Sequence, residues 1–242
     1  MFRRGAQAIF SFMRLGNVIR KLGLVIADTP RLPLRSVYRK YREFTMIPEG
    51  SYVKNLTLAR QFRHVPGSVV ECGVWKGGMS AGMADIIGAD RHYYLFDSFE
   101  GCPKARKIDG IKAKEWQQDV SSPLYYNNSS ADIGFSQDVM NRAGASRCSI
   151  VKGWFEQTLP GFKAEGGIAI LRLDGDWYES TMICLEYLFP QVNEGGVTII
   201  DDYFAFEGCA RALHDYLSRN QIARRIRQLD NDVCFIVNAK DM

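Results

Sequence analysis

Ser68-Val-Val-Glu-Cys-Gly-Val-Trp-Lys-Gly-Gly78 is a short apolar run that breaks at Gly73 and leads into a helical pattern over 78–88. That is a strand, a glycine turn and a helix. The same alternation runs outward from it. Tyr93–Phe96 reads as a second strand ending at Asp97, 132–144 as a helix, and Cys148–Lys152 as a third strand. Ile168–Leu173 is a fourth strand ending at Asp174. A helix over 179–189 precedes a fifth strand, Gly196–Ile200, which ends at Asp201-Asp202. A helix over 208–219 and strands near 222–228 and 232–237 close the chain. Strands separated by helices give βαβ units and a mostly parallel sheet, so the fold class is α/β with seven strands and helices on both faces. Upstream, residues 50–64 place Tyr52, Val53, Leu56, Leu58, Ala59 and Phe62 on one helical face. With 242 residues, 46% of them hydrophobic, the chain suits one α/β domain with an accessory segment and is not a disordered polymer.

In open α/β sheets ligands sit beyond the carboxyl ends of the strands. This chain puts acids there repeatedly: Glu71, Asp97, Asp174, Asp201 and Asp202. Gly73, Gly77 and Gly78 let backbone approach a ligand at the first strand-to-helix turn. Their spacing is neither G-x-G-x-x-G nor a phosphate-binding loop, which fits a ligand without a pyrophosphate better than a dinucleotide. Asp97 stands where a carboxylate can accept both hydroxyls of a ribose, or simply cap a helix. Asp174, Asp201 and Asp202 meet at one edge if their strands are neighbours. Three such carboxylates repel one another unless a cation joins them, and an all-oxygen set favours Mg²⁺, Mn²⁺ or Ca²⁺ over zinc. The competing reading is salt bridges to Arg172 or Arg211. Asp176 caps the following helix or stands behind the ligands.

Other features narrow the partners. Residues 1–45 carry ten Lys/Arg against Asp28 and Glu43, a charge of +8, while the remainder holds 21 basic and 25 acidic residues, −4. Residues 1–48 are therefore expected to be a basic N-terminal arm, with an amphipathic helix over 1–27 and a connector over 34–48. The α/β body would fill 49–242. The arm is expected to allow peripheral contact with a membrane surface, and nucleic acid is not expected as a partner. Residues 101–131 are polar and interrupt the alternation, so a lid near 103–131 is expected to overhang the ligand edge. Six scattered cysteines without C-x-x-C spacing suit a reduced, cytoplasmic protein. His64, His92 and His214 have no catalytic partners in the pattern.

Five motifs in order resemble the macrocin O-methyltransferase family: Pro66–Gly78, Leu95-Phe-Asp-Ser-Phe-Glu-Gly101, Val151-Lys-Gly-Trp-Phe-Glu-Gln-Thr-Leu-Pro160, Leu173-Asp-Gly-Asp-Trp-Tyr-Glu-Ser-Thr181 and Glu194-Gly-Gly-Val-Thr-Ile-Ile-Asp-Asp-Tyr203. The resemblance covers roughly residues 44–220. It implies a class I methyltransferase Rossmann-like fold with S-adenosylmethionine as donor. It implies cofactor contacts from Glu71, Gly73, Val74, Gly77 and Gly78, then Asp97 and Ser98, then Gly153, Trp154 and Phe155. It implies magnesium ligation by Asp174, Asp201 and Asp202, with Asp174 also the general base. The expected reaction is O-methylation of a vicinal diol in a sugar of a natural product or polysaccharide. The acceptor is thus a small molecule or glycan, and a homo-oligomer is the expected assembly. Catechol O-methyltransferases place a lysine three residues after the first metal aspartate, where this chain has Trp177. The lid shares only Asp109-Gly110 with antibiotic-tailoring members. A nicotinamide oxidoreductase and a non-catalytic nucleoside-binding module are the competing classes.

Overall fold

The computed structural model describes residues 31–239. The amphipathic helix expected over 1–27 lies outside them. The compact unit that holds the site begins at Pro33. The segment read as a connector is helical: α1 spans Arg31–Tyr41 and a 3₁₀ turn follows over Arg42–Phe44. Leu34 and Tyr41 are buried, with Val37 and Tyr38 packed against the same core, which is the spacing of one helical face. Pro33 is tolerated because the first-turn N–H groups of a helix have no intrahelical acceptor.

Helix α2 spans Glu49–Gln61, and β1 spans Ser68–Cys72. Then come α3 (Gly78–Ile87) and β2 (Tyr93–Asp97). After the stretch over 101–131 come α5 (Ile133–Arg142), β3 (Cys148–Lys152), the short α6 (Phe155–Thr158) and β4 (Ile168–Leu173); that stretch itself carries α4, Ile111–Gln118. Helix α7 (Tyr178–Leu188), β5 (Val192–Ile200), α8 (Glu207–Arg219), β6 (Arg227–Gln228) and β7 (Cys234–Val237) complete the chain. The strands form one sheet in the order β3-β2-β1-β4-β5-β7-β6. Strands β1 to β5 pair in parallel, and β7 runs antiparallel between β5 and β6. Strand β5 begins four residues before the expected start, and β6 is only two residues long.

Every residue of β1 and β4 is buried, as a central parallel strand covered on both faces requires. Side chains alternate between faces. Val69, Tyr93, Leu95, Ala169 and Val197 join one core with residues of α2, α3 and α5. Val70, Cys72, Phe96, Leu171 and Ile200 join a second core with α7 and α8. Each fully buried Val, Leu or Ile contributes about 1.5–3 kcal/mol, so the two cores fix the positions of the strand ends.

The polar stretch over 101–131 is ordered into a 3₁₀ turn at Lys107–Asp109, α4, and a left-handed turn over Tyr126–Ser129. Asp109 anchors it. One carboxylate oxygen accepts from Arg106 N at 2.6 Å and the other from Tyr178 N, at the start of α7, at 2.9 Å. Gly208 lies against the Asp109 backbone, and Trp177 Nε1 donates to the Pro103 carbonyl at 2.8 Å. A polar segment is held here by buried polar anchors rather than by an apolar face. All six cysteines are free thiols, and Cys72, Cys184, Cys209 and Cys234 are buried. Among the described residues no helix is long and apolar enough to cross a membrane.

Candidate active site at the carboxyl edge of the sheet

The parallel ladders run one residue past the strands. Gly153 N donates to Asp97 O, Gly73 N to Phe96 O, Asp174 N to Cys72 O and Asp201 N to Leu173 O, all at 2.8–2.9 Å. Gly153, Asp97, Gly73, Asp174 and Asp201 therefore stand in a row along the carboxyl edge. Strand order reverses between β1 and β4, the place where ligands enter such sheets.

A cavity of ≈ 540 Å³ opens at that point. It is within the size range of small-molecule sites. Of the residues the sequence singled out for cofactor or metal, Glu71, Gly73, Val74, Asp97, Ser98, Gly153, Trp154, Phe155 and Asp174 line it. Gly77 and Gly78 do not. Gly77 (φ +82°) lets α3 pack on Ser136 and Val139, and a Cβ at Gly78 would strike the Phe44 carbonyl. Their missing side chains serve close packing. Gly73 (φ +82°) is needed for both reasons, because a Cβ there would collide with the Asp174 carbonyl oxygen.

Asp97 has a firm structural task. Its Oδ2 accepts from Val74 N (2.8 Å) and Trp75 N (2.9 Å), and its Oδ1 from Phe99 N (2.7 Å). Burial raises its pKa, and those three amides oppose the rise. A carboxylate has about four lone-pair sites, so room is left for a ligand hydroxyl. Ser98 Oγ accepts from Glu100 N at 3.1 Å, which braces the same turn.

Glu71 and Arg172 are register partners on β1 and β4, and both are fully buried. Arg172 Nη1 donates to Glu71 Oε1 at 2.8 Å and to Asp174 Oδ2 at 2.6 Å; Ser80 donates to Glu71 Oε2. Arg172 Nη2 lies 2.7 Å from Asp201 Oδ1 as an ion pair, but without hydrogen-bond geometry, which leaves both atoms buried and unsatisfied. Glu71 thus meets Arg172 before it meets any ligand.

Asp174, Asp201 and Asp202 do come together, each with an oxygen within 4.8 Å of the others. Asp176 N donates to Asp202 Oδ2 at 3.2 Å. Burial, and after it the repulsion of Asp174, pushes the Asp176 carboxyl up to about 8. Burial pushes Asp201 up to about 7 against the pull of Arg172, and it drives Asp202 well above the usual carboxylate range. One arginine does not balance this many acids, and a divalent cation would. The all-oxygen set, with more carboxylate oxygens than donors to meet them, fits a hard divalent ion.

Sequence reasoning missed the wall formed by Phe44, Thr45, Met46 and Ile47, and the part played by Trp75, Met79 and Arg172. A charged residue inside the apolar run Ile168–Leu173 was the available signal for Arg172. The histidines lie elsewhere: His92 near Glu165 and Ser149, His214 on the Tyr203 hydroxyl, and His64 beside Arg63.

A seven-stranded sheet in this order, with an acidic cavity at its reversal point, is a class I methyltransferase fold. Two solved methyltransferases share it. The O-methyltransferase NovP superposes with a TM-score of 0.66 at 29% identity, covering 81% of this chain and 83% of that one. The calicheamicin methyltransferase CalS11 does so at 0.62 and 20% identity, covering 88% and 94%. A family model described as Macrocin-O-methyltransferase (TylF) matches residues 43–237. The chain belongs to that family. It is 38% identical over 179 residues to the 8-demethyl-8-(2,3-dimethoxy-alpha-L-rhamnosyl)-tetracenomycin-C 4′-O-methyltransferase of Streptomyces olivaceus, covering 71% of this chain. It is 35% identical over 176 residues to the mycinamicin III 3″-O-methyltransferase of Micromonospora griseorubida, covering 69%. Each match spans 66% of the relative's own length.

Proposed function

We propose that this chain is an S-adenosylmethionine-dependent, Mg²⁺-dependent O-methyltransferase acting on one hydroxyl of a vicinal diol in a sugar. The observation that carries the reading is the charge of the cavity beside the aspartate triad. Glu71, Asp97, Glu156, Asp174, Asp176 and Glu179 line it, with Arg172 the only cationic side chain among them. Such a lining suits a ligand bearing a sulfonium and an ammonium group. It would repel the pyrophosphate of a nicotinamide dinucleotide. When bound, S-adenosylmethionine supplies the electrophilic methyl group and Mg²⁺ the positive charge that makes a nearby hydroxyl more acidic.

The chain's own residues do the rest. Asp174, Asp201 and Asp202 would hold the ion. Arg172 fixes Asp174 Oδ2, which leaves the two lone pairs of Oδ1, one to hold the ion and one to take the hydroxyl proton. Trp177 cannot substitute as a base. It is buried, and its ring nitrogen is committed to the Pro103 carbonyl. Asp109 and Trp177 together pin the lid to the start of α7, beside the triad, where it would exclude water. The same proposal includes a homo-oligomeric state and contact of the basic arm with an anionic membrane surface; the charge of residues 1–45 supports the latter. Light scattering and vesicle sedimentation test these two.

Calorimetric titration with S-adenosylhomocysteine and with NAD, each with and without Mg²⁺, tests the donor and the metal. Binding of S-adenosylhomocysteine alone, followed by Mg²⁺-dependent methyl transfer to a diol-bearing sugar, is expected. Binding of NAD alone would overturn the reading in favour of an oxidoreductase.

A further inference from the structure

Each aspartate of the triad has one oxygen already engaged by the protein. Asp174 Oδ2 is held by Arg172 Nη1 at 2.6 Å, Asp201 Oδ1 faces Arg172 Nη2 at 2.7 Å, and Asp202 Oδ2 accepts from Asp176 N at 3.2 Å. A single guanidinium therefore restrains two of the three carboxylates. Its own position is over-determined. It is fully buried, is a register partner of Glu71, and donates to Glu71 Oε1, while Ser80 occupies Glu71 Oε2. Glu71 can neither turn away nor release the arginine without leaving a buried charge unpaired.

We infer that Arg172 is a positioning residue that sets the metal preference of the triad, favouring a small octahedral cation over Ca²⁺. This rests on the metal reading above. The reason is coordination number. Ca²⁺ takes 6–8 oxygens and commonly recruits both oxygens of a carboxylate, whereas Mg²⁺ keeps octahedral geometry with single oxygens and water. Two carboxylates whose second oxygen is claimed by an arginine fork can each offer only one. Three single oxygens suit the small ion and leave positions open for an acceptor diol. A lysine at 172 would keep the charge but lose the fork, because one ammonium cannot hold two carboxylates in one plane.

The experiment uses the full chain and reads metal binding directly. Mn²⁺ is bound and followed by electron paramagnetic resonance, then displaced with Mg²⁺ or with Ca²⁺. The wild-type chain is expected to release Mn²⁺ at about tenfold lower Mg²⁺ than Ca²⁺ concentration, as the coordination argument requires. Arg172→Lys is expected to erase that difference. Glu71→Gln, which keeps the arginine but loosens its anchor, is expected to reduce it and serves if the lysine variant does not fold; melting curves check both. Equal displacement by the two ions in the wild type, or an unchanged preference in both variants, overturns the role of Arg172 alone. Failure of the wild type to bind Mn²⁺ at all overturns the metal reading beneath it, and this proposal with it.

Discussion

Asp97 and the Asp174–Asp201–Asp202 group stand on the same sheet edge in similarly buried surroundings, yet their charges are met differently. Asp97 receives three backbone N–H groups from the two turns it joins. The triad receives one arginine fork and one backbone amide among three carboxylates. A carboxylate satisfied by backbone amides acts as a clamp, because its partners cannot leave without unfolding the turn. A group of carboxylates with fewer donors than oxygens is poised for a cation and carries a penalty until it binds one. The first arrangement shapes the cavity. The second would hold the ion of the proposed reaction.

The comparison breaks most visibly at Asp174. Asp174→Asn should lower methyl transfer by about 10³-fold, within the span of general-base effects, while S-adenosylhomocysteine binding measured by calorimetry stays close to wild type. Equal loss of both would mean that the two regions are not separable. Gly73 lies between them, and Gly73→Ala should cost about 3 kcal/mol in chemical denaturation, because a Cβ meets the Asp174 backbone at a positive φ. Asp97→Asn should cost about 1–3 kcal/mol, since an amide cannot accept at both ends and buried N–H groups go unpaired. Its effect on S-adenosylhomocysteine affinity should exceed its effect on Mn²⁺ binding.

The triad side should also carry the pH response. Asp176 is raised to about 8 and Asp201 to about 7, so the folded metal-free chain holds protons that the unfolded chain releases. Their contribution to stability is present in acid and is lost as pH rises from the usual carboxylate range through about 7 to 8. The melting temperature without metal should therefore fall over that window, and saturating Mg²⁺ should flatten the fall. A metal-free melting temperature that climbs instead would break the picture of under-compensated carboxylates. The smallest effect belongs outside both regions: His214→Ala should change stability by about 0.5 kcal/mol and leave turnover unaffected in a steady-state assay.

Much of the fold was legible because central parallel strands are apolar on both faces. Strands β1, β3 and β4 begin and end where the pattern puts them, and the strand-end acids were visible as breaks in those runs. Helix α1 was not legible, since Pro33 and a dense set of arginines and tyrosines hid the spacing of Leu34, Val37, Tyr38 and Tyr41. The ordering of residues 101–131 was hidden too. It depends on Asp109 reaching Tyr178 N, a contact 69 residues away in sequence.

The sequence by itself determined the alternating α/β frame, the row of acids at the strand ends and the family to which the chain belongs, because hydrophobic period and strand-end chemistry are local properties. Only the tertiary structure decided what each acid does. Strand order brings Glu71 beside Arg172 and sets Arg172 between Asp174 and Asp201, while local turns give Asp97 to backbone amides and turn Gly77 and Gly78 toward helix packing. Those assignments depend on which strands are neighbours and on how many donors reach each buried oxygen, and neither is written in any contiguous stretch of the chain.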